Sequence, residues 1–314
     1  MSRHLYLDHA NTQLALDGRS LKVKVPDRPV AHVPLHMLER LTIVADMAVS
    51  THLLHRLSSG GVAITLLSPR SKHQAMDCLT LNHGNHARRL HQYALVLDET
   101  RCLSWSRLLV RWKLKAQRQQ LMRFAARRSG EAGRCRRAEQ EIARLQMQAA
   151  RADAQGLLGL EGSAARAYFG VYQRLVPASL GFAGRRKRPA PDPVNALLSL
   201  TYSMLTSECS RALQRAGLDP AYGVYHRVDY GRPSLACDLV ELVRPQADHF
   251  VWRLLARQEL REHHFTRQLE ACLLKKEGRA IYFPCYEVRL AECRRHIHRL
   301  ARRLSQRWQQ EAEA

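Results

Sequence analysis

The feature that most constrains this chain is a change of hydrophobic period near residue 86. Before it, apolar residues alternate or run over short lengths. HLYLDH, QLALDG and SLKVKV have this character, and DGR at 17–19 is a turn signal between two of them, as a hairpin requires. RLTIVAD and VAITLLS are short β-branched runs. Between them VSTHLLHRLSSGG reads as one helix, with Ser50 or Thr51 to cap its start and Gly60-Gly61 to close it. After residue 86 the period is helical. RLHQYALVLDETRCLSWSRLLVRWKLKAQRQQLMRFAARR contains no Gly or Pro. Gly130 and Gly133 interrupt the pattern, and RRAEQEIARLQMQAARADAQ resumes it. A period of two buries one face of a strand and a period of 3.6 one face of a helix, so the two regions need different architectures. The expectation is an α+β multidomain chain: a small N-terminal β-domain over 1–85 with one helix, then a larger all-α C-terminal domain over 86–314. A length of 314 residues suits two cores rather than one.

Charge narrows the partner. Fifty Lys+Arg against 28 Asp+Glu gives 50 − 28 = +22. A chain this basic is expected to bind a polyanion, and nucleic acid is the commonest. The excess is clustered: residues 101–150 hold 13 Lys+Arg and three acidic residues. Arg outnumbers Lys, which suits bidentate phosphate contacts. The candidate nucleic-acid contacts are Arg111, Lys113, Lys115 and Arg118 on the basic helix over 107–123. Arg185, Arg186, Lys187 and Arg188 add a cluster in the Gly/Pro-rich loop 178–193, and Arg244 lies one turn beyond Glu241. The competing reading of the basic helix is a plain solvated face. No apolar run reaches the roughly 18–20 residues that span a bilayer, and no signal peptide is legible at the N-terminus. The eight cysteines include no CxxC pair, so mostly buried, reduced thiols of a cytoplasm are expected rather than a zinc site or disulfide framework.

Candidate chemistry lies in two stretches. In GLLGLEGSAARAYF, Glu161 sits on a helical stripe with Leu157, Leu158, Ala164 and Ala165. A buried carboxylate must be neutral, paired or bound to a cation. A Glu near a helix start, stabilised by the dipole, explains this stretch equally well. In HRVDYGRPSLACDLVELVRP, Asp238 and Glu241 share a face of a helix that is expected to start near Ser234 and stop before Pro245. A surface ion pair of Glu241 with Arg244 is the alternative, but Leu235, Ala236, Leu239, Val240 and Leu242 leave few solvent-facing positions. Two carboxylates on one such face repel unless a cation is near. With His226, they suit Mg²⁺ or Mn²⁺ rather than zinc. His83, His86, His91 and the pair His263-His264 have no carboxylates at ligand spacing and read as surface or phosphate contacts. No dinucleotide fingerprint, P-loop or GxSxG elbow is present.

Five blocks in order resemble one family, the CRISPR-associated integrase-endonuclease, the first protein of the spacer-adaptation module. VPLHMLERLTIVADMAVSTHLLHRLSSGGVAITLLS resembles its N-terminal β-domain, and VRWKLKAQRQQLMR its basic helix. LEGSAARAYF is similar to its Glu-Gly motif, DPVNALLSLTYSML to its Asn-containing helix, and LDPAYGVYHRVDYGRPSLACDLVELVRP to its most diagnostic block. The resemblance implies a β-domain used in dimerisation and a helical domain for catalysis and DNA binding. It implies metal ligands at Glu161, His226 and Glu241, with Asp238 as an acidic support beside them. The 241 position takes Asp or Glu in the family, and position 237, here Cys237, varies. The implied function is a divalent-metal-dependent DNA integrase and endonuclease. It captures foreign DNA as new spacers by transesterification at repeat boundaries, a role in antiviral defence. The implied partners are double-stranded DNA (prespacer and CRISPR repeat), a second copy of the chain, and a small ferredoxin-like second adaptation protein. A non-catalytic DNA-binding scaffold and a general structure-specific repair nuclease are the alternatives.

Overall fold

The computed structural model describes residues 3–67, 75–78, 86–186, 189–269 and 271–313. The chain divides into two compact units, residues 1–82 and 83–314.

Among the described residues the first unit is built on seven strands. They are β1 (Arg3–Leu7), β2 (Gln13–Asp17), β3 (Ser20–Lys24), β4 (Ala31–Pro34), β5 (Leu38–Ile43), β6 (Ala63–Leu67) and β7 (Ala75–Cys78). One sheet has the order β1-β5-β6-β7, with β1, β5 and β6 parallel and β7 antiparallel to β6. The other is the antiparallel meander β2-β3-β4. The DGR signal is the β2–β3 turn: Asp17 pairs with Ser20, and Gly18 takes a positive φ of 57° that favours glycine. Parallel β5 and β6 need a crossover, which helix α1 (Thr51–Ser59) supplies. Ser50 caps it by accepting from the Leu53 amide at 3.2 Å. Leu53 and Leu57, one turn apart, bury against Leu7, Leu21, Leu41 and Ile64 in the core of this unit.

The second unit is mostly helical. The long apolar pattern after residue 86 forms two helices, α2 (Ala87–Leu97) and α3 (Glu99–Arg127). Asp98 separates them, because its carboxylate accepts from the Arg101 amide at 3.0 Å and starts a new helix. Next come α4 (Ala132–Gln148), α5 (Ala154–Leu175), α6 (Pro193–Arg215), α7 (Ser234–Glu241) and α8 (Arg244–Ala256). The unit ends with α9 (Lys276–Arg289) and α10 (Ala291–Glu313). Aspartates also cap α5 and α6: Asp153 and Asp192 accept from amides three residues on, each at 2.8 Å, and Pro193 opens α6. Helix α6 is buried on nearly every side and forms the centre of the unit. The all-α expectation meets one addition, a two-strand hairpin of β8 (Phe265–Gln268) and β9 (Ala271–Leu274). Among the described residues no helix is long and apolar enough to cross a membrane, and the seven described cysteine side chains are free thiols.

Candidate active site

Four helices of the helical unit and one loop bring the candidate residues together. Glu161 lies two turns into α5, so the helix-start reading of its charge does not apply. Its neighbours Leu157 and Ala164 are buried, while Leu158 is exposed. Its carboxylate accepts at Oε2 from the Tyr225 hydroxyl and at Oε1 from the Lys113 ammonium. Glu241, the last residue of α7, is buried and carries two cations. Lys113 Nζ lies 2.6 Å from its Oε2, and Arg244 Nη1 lies 2.5 Å from its Oε1. Lys113 therefore bridges the two carboxylates. Arg244 does pair with Glu241, but inside the protein rather than on its surface.

Both carboxylates are held charged. Burial pushes the Glu161 carboxyl up, but the Lys113 charge and the hydrogen bonds from Lys113 and Tyr225 outweigh it, and the net shift is downward. Burial also raises the Glu241 carboxyl, and Arg244, Lys113 and His226 together bring it down to about 2. The Tyr225 hydroxyl moves the other way. Burial and its hydrogen bond to Glu161 push it far above the usual tyrosine range, so it stays a donor.

Asp238 faces a different set of partners. It is 2% exposed. Its Oδ2 accepts from the amides of Val224 and Tyr225 at 2.8 and 3.1 Å, and its Oδ1 accepts from the His226 amide at 2.8 Å. The His226 ring approaches Oδ1 at 2.7 Å through Nδ1. A carboxylate with that many donors is an acceptor, so the His226 Nδ1 is the donor in this contact. The chain passes so close here that a Cβ at Gly223 would lie 2.8 Å from Asp238 Oδ2 and 2.7 Å from the backbone of His226 and Ser234. Beside His226 opens a cleft of about 680 Å³, walled by Leu97, Leu103, Leu157 and Tyr225, with Arg227 and Arg232 also lining it.

A second buried network backs onto the first. The Arg244 guanidinium sits 4.7 Å above the Tyr202 ring, and that of Arg185 sits 5.3 Å from the same ring. The Tyr202 hydroxyl donates to Asp248. Burial raises the Asp248 carboxyl to about 6, against the lowering effect of Tyr202, Tyr168, Arg244 and Arg185. Asn195 holds the loop that carries Arg185. Its Oδ1 accepts from Arg185 and from the Arg186 amide at 2.9 and 2.8 Å, and its Nδ2 donates to the Gly184 carbonyl at 2.9 Å.

The candidate DNA contacts divide. Arg111 and Lys115 are exposed on α3 and Arg186 on the loop. Arg118 is paired with Glu139 at 2.7 Å, and Arg185 and Arg244 lie in the networks just described. Lys113 is not a surface contact: it shares the buried stripe of α3 with Leu109, Val110, Gln117 and Leu121 and ends between two carboxylates. Lys187 and Arg188 lie outside the described residues, as does His83. Sequence reasoning missed the bridging place of Lys113, although its spacing from Leu109 and Gln117 marks it as inward-facing. It also missed Tyr225, Tyr202, Asp248 and Asn195 as site-building groups. The runs DPVNALLSLTYSML and LDPAYGVYHRVDYGRPSLACDLVELVRP contain Asn195, Tyr202 and Tyr225 but give none of them a role.

The donor set has the chemistry of a hard divalent cation: two ionised carboxylates, and an imidazole oriented by a third carboxylate. Glu241 Oε2 is buried and meets Lys113 as a charge without an aligned hydrogen bond, as an oxygen facing a cation position would. Among the described residues no three His, Cys, Asp or Glu groups converge on one point; the cation between Glu161 and Glu241 is the Lys113 ammonium. The residues fit a metal in kind, with an ammonium at that position.

A small β unit followed by a helical unit with a buried carboxylate–imidazole cluster defines a class of protein. The family model described as CRISPR associated protein Cas1 matches residues 5–288. The chain belongs to this family. A relative named CRISPR-associated endonuclease Cas1 1, from Thermodesulfovibrio yellowstonii, is 34% identical over 289 residues, which cover 90% of each chain. Two solved structures share the fold. A casposase bound to integration product superposes with a TM-score of 0.86 at 19% identity, over 99% of this chain and 91% of that one. A chain of a Cas6-RT-Cas1–Cas2 complex gives 0.85 at 23% identity, over 99% of this chain and 35% of that longer one.

Proposed function

We propose that this chain is a metal-dependent DNA endonuclease and integrase that inserts captured DNA fragments into a CRISPR array. The observation that carries the reading is the pairing of Glu161 and Glu241 around one cation position, with His226 oriented by Asp238, in a member of the Cas1 family. The endonuclease name of the Thermodesulfovibrio relative supports cleavage of nucleic acid, and the likeness to a casposase is consistent with strand joining. Glu161, His226 and Glu241 would hold Mg²⁺ or Mn²⁺. That ion supplies charge at a phosphoryl oxygen, where negative charge builds during displacement.

The rest is done by the chain itself. Asp238 keeps His226 in one tautomer and one orientation. Before an ion binds, Tyr225 and Lys113 both hold Glu161 in place. Arg244, placed between Glu241 and the Tyr202 face, holds positive charge beside the phosphate to be attacked. In the reaction a 3′-hydroxyl attacks a phosphodiester. A new P–O3′ bond forms, the old one breaks, and the departing strand leaves as a 3′-hydroxyl with the proton, so no external energy source is required. The partners of this reading are double-stranded DNA, a second copy of the chain, and a Cas2-type protein. The last is supported by the Cas1–Cas2 complex that shares the fold.

The test is strand joining into a repeat-bearing plasmid. Glu161→Ala and His226→Ala are expected to abolish joining while DNA binding, measured by gel shift, stays close to wild type. Full joining by either variant, with Mn²⁺ supplied, would overturn the assignment. Loss of binding together with joining would point instead to a DNA-binding scaffold.

A further inference from the structure

The cation between Glu161 and Glu241 is part of the chain, and its charge balances the cluster. Lys113 and Arg244 contribute two positive charges, and Glu161 and Glu241 two negative ones. The four groups sum to zero. Glu161 is fixed by α5 and Glu241 by the end of α7, so neither backbone can retreat from the other. Without a cation between them, two carboxylates held this close by different helices would repel. Lys113 prevents this. It projects from the inward stripe of α3, is itself buried, and reaches both carboxylates with one ammonium. A divalent ion bound to the same two oxygens would stand within a few ångströms of that ammonium, where like charges repel strongly.

We infer that Lys113 is a built-in counter-ion that holds the Glu161 and Glu241 carboxylates in register before a divalent ion binds, and that the ion displaces its ammonium from between them. This inference rests on the metal reading given above. It gives Lys113 a positioning role and makes it a competitor for the site. A basic helix that only contacts phosphate would do neither.

Two measurements test it without recourse to catalysis. The first follows free Mn²⁺ by electron paramagnetic resonance as it is added to the wild-type protein, to Lys113→Met, which keeps length but not charge, and to Glu241→Gln, which reports binding elsewhere. Removing a competitor raises apparent affinity by the fraction of sites it blocked, so Lys113→Met is expected to bind Mn²⁺ on the order of tenfold more tightly. It is also expected to melt earlier than wild type in chelator and to recover on Mn²⁺ addition. The second measurement needs no variant. Lys113 in the wild-type protein is expected to resist acetic anhydride in chelator and to become acetylated in Mn²⁺, read by mass spectrometry against exposed Lys115.

Tighter Mn²⁺ binding by Lys113→Met and metal-dependent acetylation support the proposal. Wild-type binding that the variant does not improve, or Lys113 labelling that Mn²⁺ leaves unchanged, overturns it and leaves the metal reading standing. If Mn²⁺ binds neither the wild type nor the variant, both fall. Should Lys113→Met fail to fold, the labelling of the wild type decides alone.

Discussion

Asp238 accepts three backbone amides and one imidazole and so ties the 224–226 backbone and the His226 ring to α7. Asp238→Asn replaces one oxygen with an amino group facing donors. It is expected to lower strand joining by roughly 10–100-fold, as loss of a group that orients a metal-binding histidine does. Nitrogen chemical shifts of His226 would show its tautomer change, which a merely weakened fold would not produce. Glu161, His226, Asp238 and Glu241 were legible because charge stands out in apolar surroundings and because the family motif covers them. Lys113 was not separated from Arg111, Lys115 and Arg118, since clustered charge in a sequence looks alike whether it faces water or the interior. Asp248 was illegible for another reason: its partners Tyr168, Tyr202, Arg185 and Arg244 come from α5, α6, α8 and a loop. Its carboxyl has a raised pKa in the folded protein, so the native state binds the proton more tightly than the unfolded chain. Stability from this group is therefore present in acid, below the ordinary aspartate pKa, and is lost as pH rises through about 6. Asp248→Asn keeps an acceptor for Tyr202 and removes the charge. Chemical denaturation of both proteins at pH 4 and pH 7 should show the variant gaining on wild type by roughly 2 kcal/mol across that interval.

Helix α6 links the site to the loop 181–192. Its first turn carries Asn195, which ties the Arg185–Arg186 backbone and side chain to the helix, and its third turn carries Tyr202, on which Arg185 and Arg244 converge. Asn195→Ala leaves Asp192 as the cap but releases the loop. It should cost about 1–3 kcal/mol in stability, the usual penalty for stranding buried polar partners, and limited proteolysis should cut at Arg185 or Arg186 sooner than in wild type. A loop cut no faster in the variant would show that Asn195 does not hold it. At this scale the sequence was informative where patterns are long or punctuated. The β2–β3 hairpin followed its DGR turn, α1 its Ser50 cap and Gly60, and α7 the Ser234-to-Pro245 interval. Two features were lost. The break at Asp98 lies inside an unbroken helical period, and only the capping role of the aspartate marks it. The β8–β9 hairpin has four-residue strands, too short for alternation to register, and its strands rest on their surroundings, with the Cys272 amide donating to the Ala190 carbonyl.

The whole chain carries a charge of +22, and its exposed arginines gather on the helical unit. Arg295, Arg299, Arg302, Arg303 and Arg307 lie exposed on α10, and Lys115 from α3 lines one groove with Arg303 and Arg307. Binding through such a surface releases counterions. DNA affinity is expected to fall on the order of 10³-fold between 50 and 200 mM salt if about six phosphates are neutralised. Fluorescence anisotropy across that range checks it, and a flat response would remove the phosphate-dominated surface. The cluster around Glu161 is distributed differently. Lys113, Glu161, His226, Glu241 and Arg244 come from four helices and a loop, in an order that runs through most of the helical unit. A chain emerging from the ribosome has Lys113 and Glu161 long before it has Glu241. Until residue 244 is made and α7 packs, the nascent protein carries the basic stretch 101–150 but not the complete cluster. Synthesis that stops early therefore yields a basic chain without the completed cluster.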